Sequence, residues 1–157
     1  MKSLPRYRRV LVTTDFSRVG DAAIPHAFAL LGAAGGTVAL GHVLERPELP
    51  NPFYAHYTPG HALTPAERAA LRRSLQDELR ERVRPYAALG RFRVGCRVVE
   101  TRRTVAEAIV KLAAVERADA IVLGSHGHSP VGRLLLGSIV DAVMRRAKVP
   151  VLVVRGS

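Results

Sequence analysis

At 157 residues, 48% of them hydrophobic, the chain is long enough for one domain that buries roughly two thirds of its unfolded surface. No apolar run reaches the roughly 18 residues that span a bilayer, and the amino terminus MKSLPRYRRVLVTTDF lacks the apolar stretch and cleavage site of a signal peptide; a cytoplasmic protein with no membrane partner is expected. The net charge of +11 raises nucleic acid as a partner, but the arginines scatter through every segment without an evident patch, which argues against specific nucleic-acid binding.

Along the chain, hydrophobic periodicity alternates between short apolar runs and longer helical patterns. RRVLVTT (8–14) predicts a first strand, and 17–34 a helix interrupted by Pro25. TVALGHV (37–43) predicts the second strand, followed by a proline-rich connection over 44–63 with no sustained period. The next helix opens at Thr64, with Pro65 at its first position and Glu67 completing a capping box. In the third strand, RFRVGCRVV (91–99), Phe92, Val94, Cys96 and Val98 share one face, while Arg93, Gly95 and Arg97 form a wet one. Cys96 is the single cysteine, so it has no disulfide partner and is read as a small packing residue. A second capping box, Thr104 with Glu107, starts a helix over 105–118. A fourth strand (119–124), a glycine-rich segment, a helix from about 138 to 147 and a fifth strand (149–154) complete the chain. Strands alternating with helices imply right-handed crossovers, and so an α/β fold: a single doubly wound domain over 1–157 with helices on both faces of a parallel sheet.

The segment GSHGHSPVGRLLLGS (124–138) carries Gly124, Gly127, Gly132 and Gly137, the last followed by Ser138. In open parallel sheets ligands bind beyond the carboxyl ends of the strands, where this segment begins. Glycines let main-chain N–H groups come close to a ligand, and a helix starting near Ser138 adds unpaired donors and a partial positive charge. Phosphate is the natural guest. Ser138 either donates its hydroxyl to that phosphate or caps the helix.

Other chemistries fit less well. The two imidazoles of SHGH have no acid or cysteine at short ligand spacing, so no metal site is expected. Ser125, His126 and Asp141 could supply a hydrolytic triad by composition, but GSHG is not a GxSxG elbow. The segment also lacks the lysine of a GxxxxGK[ST] loop and an acid beside Ser138 to hold magnesium, so efficient ATP hydrolysis is not expected. The last strand, VPVLVV, is apolar on both faces. At a sheet edge it would invite a second chain, and a homodimer through 149–154 is expected.

The spacing G-x2-G-x9-G-S, from Gly124 through Gly127 to Gly137 and Ser138, resembles the ATP-binding motif of the universal stress protein family. VLVTTDFS, ALGHV and VPVLVVR are similar to the family's first, second and last strands, so the resemblance covers essentially the whole chain. It implies a five-stranded parallel sheet in order 3-2-1-4-5, dimers, and binding of ATP, with Mg2+ or Mn2+, by a stress-response sensor or regulator that hydrolyses it slowly at most. By the same resemblance Asp15 faces the adenosine, the backbone of Val43 meets the adenine ring, and Leu123 and Gly124 line that pocket. Gly127, Gly137, Ser138 and Ile139 supply donors to the phosphates, joined by His128 and Ser129, with Arg133 in reach of a phosphate. Thr13 stands where ATP-binding members often carry proline. The competing reading is a protein-interaction module that keeps the fold without the ligand.

Overall fold

A computed structural model describes residues 4–46, 63–126 and 137–156. Strand β1 (Arg9–Thr13) leads into a short helix α1 (Arg18–Asp21) and then α2 (Ile24–Leu31). Pro25 is the reason for the break: it sits in the first turn of α2, where its missing N–H leaves no helical bond unmade. Gly32 and Gly35, at φ of +56° and +70°, reverse the chain into β2 (Gly36–Glu45). The long helix α3 (Pro65–Ala87) precedes β3 (Phe92–Thr101), α4 (Val105–Val115), β4 (Ala120–His126), α5 (Ser138–Arg146) and β5 (Val151–Gly156).

All strand pairs are parallel and the order is β3-β2-β1-β4-β5, as the family resemblance implied. Strand alternation sorts the core into two layers. Val10, Val12, Val38, Leu40 and Val122 face α2 and α3 in one cluster, together with Cys96 and Val98. Leu11, Ala39, Ile121 and Leu123 face α4 and α5 in the other. Helices therefore cover both faces, and β1 lies in the middle, its backbone bonded on both sides. Cys96 is buried, and burial pushes its thiol pKa up, in keeping with a packing role.

Element ends depart from the sequence reading where pairing overrides local pattern. Strands β2 and β3 run on to Glu45 and Thr101, because their ladder continues in register and the Arg46 N–H still bonds the Thr101 carbonyl oxygen (2.7 Å). Strand β5 starts at Val151 rather than 149, after Pro150, which has no N–H to give the ladder. Of the two expected capping boxes, the one at Thr64 is complete. The Glu67 N–H donates to Thr64 Oγ1 (3.2 Å), and the Thr64 N–H donates to Glu67 Oε2 (2.8 Å). At Thr104 only the first half forms, since the Glu107 carboxylate lies instead beside Arg103 (3.7 Å).

Bonds from Thr64, first from its backbone and then from its hydroxyl, hold the Glu67 pKa below its ordinary value. A carboxylate whose folded pKa is depressed contributes stability above the unfolded pKa and loses it as pH falls through the folded one. Thr64→Ala is expected to cost about 1 kcal/mol near neutral pH. Urea melts should show the Thr64→Ala deficit shrinking only in part as the solution is taken from neutral to acid, because the variant keeps the backbone N–H that bonds Glu67 and protonation removes from the difference only the bond between the Thr64 hydroxyl and the carboxylate.

Candidate functional site between strands β1 and β4

The chain leaves β1 toward the α2 and α3 face, whereas it leaves β4 for α5 on the opposite face. The two strands are direct neighbours, with Thr13 in register with Leu123, so their ends diverge around a crevice. A cleft of about 360 Å3 occupies it.

One wall is the turn after β1. Thr14 is buried and anchors this turn with both functions of its hydroxyl: Oγ1 accepts from the Phe16 N–H (2.9 Å) and donates to Asp21 Oδ1 (2.6 Å). Phe16 takes a left-handed φ of +66°, a conformation that costs a residue with a side chain about 1 to 2 kcal/mol. Ser17, and not Asp15, caps α1, its Oγ accepting from the Gly20 N–H (3.0 Å). Asp15 Oδ1 instead accepts from the Ser17 N–H (3.0 Å) and hydroxyl (2.5 Å), which fixes the carboxylate at the exposed mouth of the cleft. A Cβ on Gly20 would lie 2.5 Å from that same oxygen, so Gly20 is what leaves room for it.

Behind this wall, Arg82 of α3 donates from Nε to Asp21 (3.0 Å), and its guanidinium carbon lies 4.7 Å above the Phe16 ring. Hydrogen bonding to Glu78, and secondarily to Asp21, raises the Arg82 pKa, so the cation persists at any working pH. The Phe16 ring packs on His42 at 4.5 Å between centroids. His42 Nδ1 lies 2.9 Å from the Thr14 carbonyl oxygen. A carbonyl only accepts, so Nδ1 carries a proton.

The other wall is the start of α5. Gly137, not Ser138, is its N-cap, and among the described residues no side chain caps the first turn. Ser138 is thereby relieved of the capping role, and the helix N-terminus keeps its donors and partial positive charge for a guest. Among the described residues, a Cβ built on Gly137 meets nothing within 4 Å. Gly124 differs: a Cβ there would strike the Val19 carbonyl oxygen and lie 2.9 Å from Gly20 Cα. This glycine lets α1 press against β4, and packing rather than ligand approach demands it.

Of the residues expected at the site, Thr13, Asp15, Val43, Leu123, Gly124, Gly137, Ser138 and Ile139 all line this one cleft. Gly127, His128, Ser129 and Arg133 lie outside the described residues, as do 47–62 of the proline-rich connection. His42, Glu45, Val105 and Ile109 also line the cleft and were not anticipated. Val105 and Ile109, four apart on the buried side of α4, carried a readable signal for the core but none for the cleft. Asp141, weighed for a hydrolytic triad, pairs with Arg145 on α5 (2.9 Å).

The two glycines should therefore answer differently to substitution. Gly124→Ala is expected to destabilise the fold by about 1 to 3 kcal/mol through overpacking against α1. Gly137→Ser supplies a missing N-cap at an ordinary φ of −53° and should hold stability or raise it by a few tenths of a kcal/mol, leaving the melting temperature level or slightly higher. Thermal melts of the two variants beside the parent test the pair.

Comparison with known proteins agrees with this geometry. The model of the universal stress protein family matches residues 6–155. A universal stress protein of Thermus aquaticus is 32% identical over 149 residues, spanning 95% of this chain and 99% of that one. Universal stress protein MJ0577 of Methanocaldococcus jannaschii is 29% identical over 154 residues, 95% of each chain, and its solved structure shares the fold with a TM-score of 0.72 over 98% of this chain and 99% of that one. A universal stress protein solved in complex with cAMP matches with a TM-score of 0.60 at 27% identity, covering 98% of this chain and 100% of that one. With a sheet in this order, a cleft at this switch point and a family match over nearly its whole length, the chain belongs to the universal stress protein family.

Proposed function

We propose that this chain binds an adenine nucleotide, ATP above all, in the cleft between β1 and β4, and serves in the cytoplasm as a nucleotide-dependent sensor or regulator in stress response, with residues 1–157 acting as one nucleotide-binding domain. The observation that carries this reading is the opposition of charges across the cleft: an uncapped α5 N-terminus on one side, the Asp15 carboxylate on the other. Phosphates are drawn to the first and repelled by the second. The ligand is thereby oriented, with its hydroxyl-bearing sugar toward Asp15 and its base among Val43, Leu123 and their apolar neighbours.

The residues fit the group. Ser138 and Ile139 offer main-chain donors, Ser138 adds a hydroxyl, and Gly137 leaves their approach open. Gly127, His128, Ser129 and Arg133 are proposed as further phosphate contacts. Mg2+ or Mn2+ would ride on the phosphates; among the described residues no cluster of three or more His, Cys, Asp or Glu could hold a metal ion unaided. The relative solved with cAMP supports an adenine nucleotide. The segment 124–138 contains no carboxylate and no lysine, so it gives phosphates donors without the metal-holding acid and P-loop lysine of fast NTPases. Turnover is slow at most.

Calorimetry with ATP and Mg2+ tests the reading. Asp15→Ala should weaken ATP about tenfold or more while leaving inorganic triphosphate nearly unchanged, since it removes charge-assisted bonds worth about 1.5 to 3 kcal/mol from the sugar end only. Gly137→Ser should lower affinity for both, because its hydroxyl claims the donors that the phosphates need. Absence of heat and of thermal stabilisation at millimolar ATP would defeat the proposal in favour of a ligand-free protein-interaction module.

Assembly follows from the sheet edge. Strand β5 is terminal, and Leu152 on it is 37% exposed. We propose that two copies pair along β5, since an edge strand that no described strand pairs on its outer side offers its backbone to another chain. Sedimentation at micromolar concentration should give a dimer, and Leu152→Lys should shift it toward monomer; a parent that sediments as a monomer would rule the pairing out.

A further inference from the structure

At the amino ends of β4 and β5, across the sheet from the nucleotide cleft, the carboxyl-terminal parts of α4 and α5 leave a groove of about 390 Å3. Its floor is apolar, built from Val110, Ile121 and Val149 with several alanines. Its rim is cationic. Lys111, Arg117, Arg146 and Lys148 stand around it, all exposed, and among the described residues none of the four enters an ion pair. The one carboxylate on the rim, Glu107, lies beside Arg103.

Elsewhere on the described surface some cations are neutralised at short range, Arg46 and Arg68 by Glu100, Arg80 by Asp77, Arg82 by Asp21 and Glu78, Arg84 by Glu81, Arg97 by Glu116, while others such as Arg91 and Arg93 are not; what sets the groove apart is that its four cations without an ion pair surround one apolar floor. Placement at a helix carboxyl end explains Arg146 and Lys148 in part, because the helix dipole favours cations there. It does not explain Lys111, which lies within α4, nor the apolar floor between the cations.

We infer that this groove docks an acidic segment of another protein, one that inserts an apolar side chain on the floor and sets carboxylates against the four cations. The occupant follows from complementarity. A second copy of this chain, at net charge +11, would bring like charge to the rim. A nucleic-acid backbone would satisfy the cations but leave the apolar floor against a solvated sugar-phosphate, whereas an acidic peptide with leucine or phenylalanine matches both features. The inference stands on this groove alone and does not depend on nucleotide binding.

Fluorescence anisotropy at physiological salt tests it with three probes: a labelled peptide of glutamates interrupted by leucines, a glutamate-only peptide of equal charge, and a short DNA duplex. The leucine-bearing peptide should bind saturably and most tightly. The double variant Lys111→Glu, Lys148→Glu should weaken it about tenfold or more, and Arg91→Glu, Arg93→Glu, the same change of net charge at exposed positions on and beside β3, should weaken it far less. Circular dichroism confirms that each variant is folded. Equal losses in the two double variants would reduce the effect to net charge and overturn the inference. So would equal binding of the glutamate-only peptide, tighter binding of the duplex, or no binding of the leucine-bearing peptide.

Discussion

Two adjacent parallel strands, β1 and β4, send their chains to opposite faces of the sheet, and the remaining features of the site are consequences of that divergence. Because β1 and β4 lead to helices on opposite faces, the strand ends open into a crevice lined by the turn after β1 and the start of α5. The turn after β1 and the first turn of α5 then face one another across it. Each is set by short-range rules: Ser17 caps α1 and recruits Asp15, while Gly137 starts α5 without contributing a side-chain acceptor. Polarity across the crevice thus arises from how two helices begin, one with a serine and a carboxylate and one with a glycine.

Holding that polarity in place falls largely to a helix that does not line the crevice. Arg82 of α3 reaches Asp21, Asp21 holds Thr14, and Thr14 fixes the turn that carries Asp15. The left-handed Phe16 is the unfavourable link, costing about 1 to 2 kcal/mol. It is offset by the Thr14 hydroxyl bonded to its N–H, the guanidinium over one side of its ring, and His42 packed against it. Several weak contacts on one residue suffice because the penalty is small.

Most of the architecture could be read from the sequence because its signals are local. Pro25, Thr64 with Glu67, and the alternation in β3 each state their structural role within a few residues. Asp15, Val43, Leu123 and Gly137 were also legible, since a family motif records the spacing of a site whose parts meet only in three dimensions. What was not legible depends on distant partners. Nothing near Asp21 announces Arg82, and nothing near Gly124 announces the Val19 carbonyl that would collide with a side chain there. The arginines and lysines look scattered along the chain, yet two helices and the loops that follow them bring Lys111, Arg117, Arg146 and Lys148 around one groove. By residue type Ser138 could serve as a cap or as a phosphate donor. The cap falls one residue earlier, on Gly137, and the capping preference of the serine goes unused.

The central position of β1 also sets an order of assembly. The N–H groups of Arg8 and Arg9, where β1 begins, bond the Asp119 carboxylate at 2.8 and 3.2 Å, and Val10 pairs with Ala120, so one side of the strand waits for residues translated more than a hundred positions later. Its other side can pair with β2 as soon as that segment leaves the ribosome, with α2 and α3 closing over one face. Loop-closure entropy makes the distant pairing slower to form. The crevice is therefore completed last, at the seam between an early half and a late one. A ligand bridging that seam binds only the finished chain and stabilises the joint that nascent protein lacks longest.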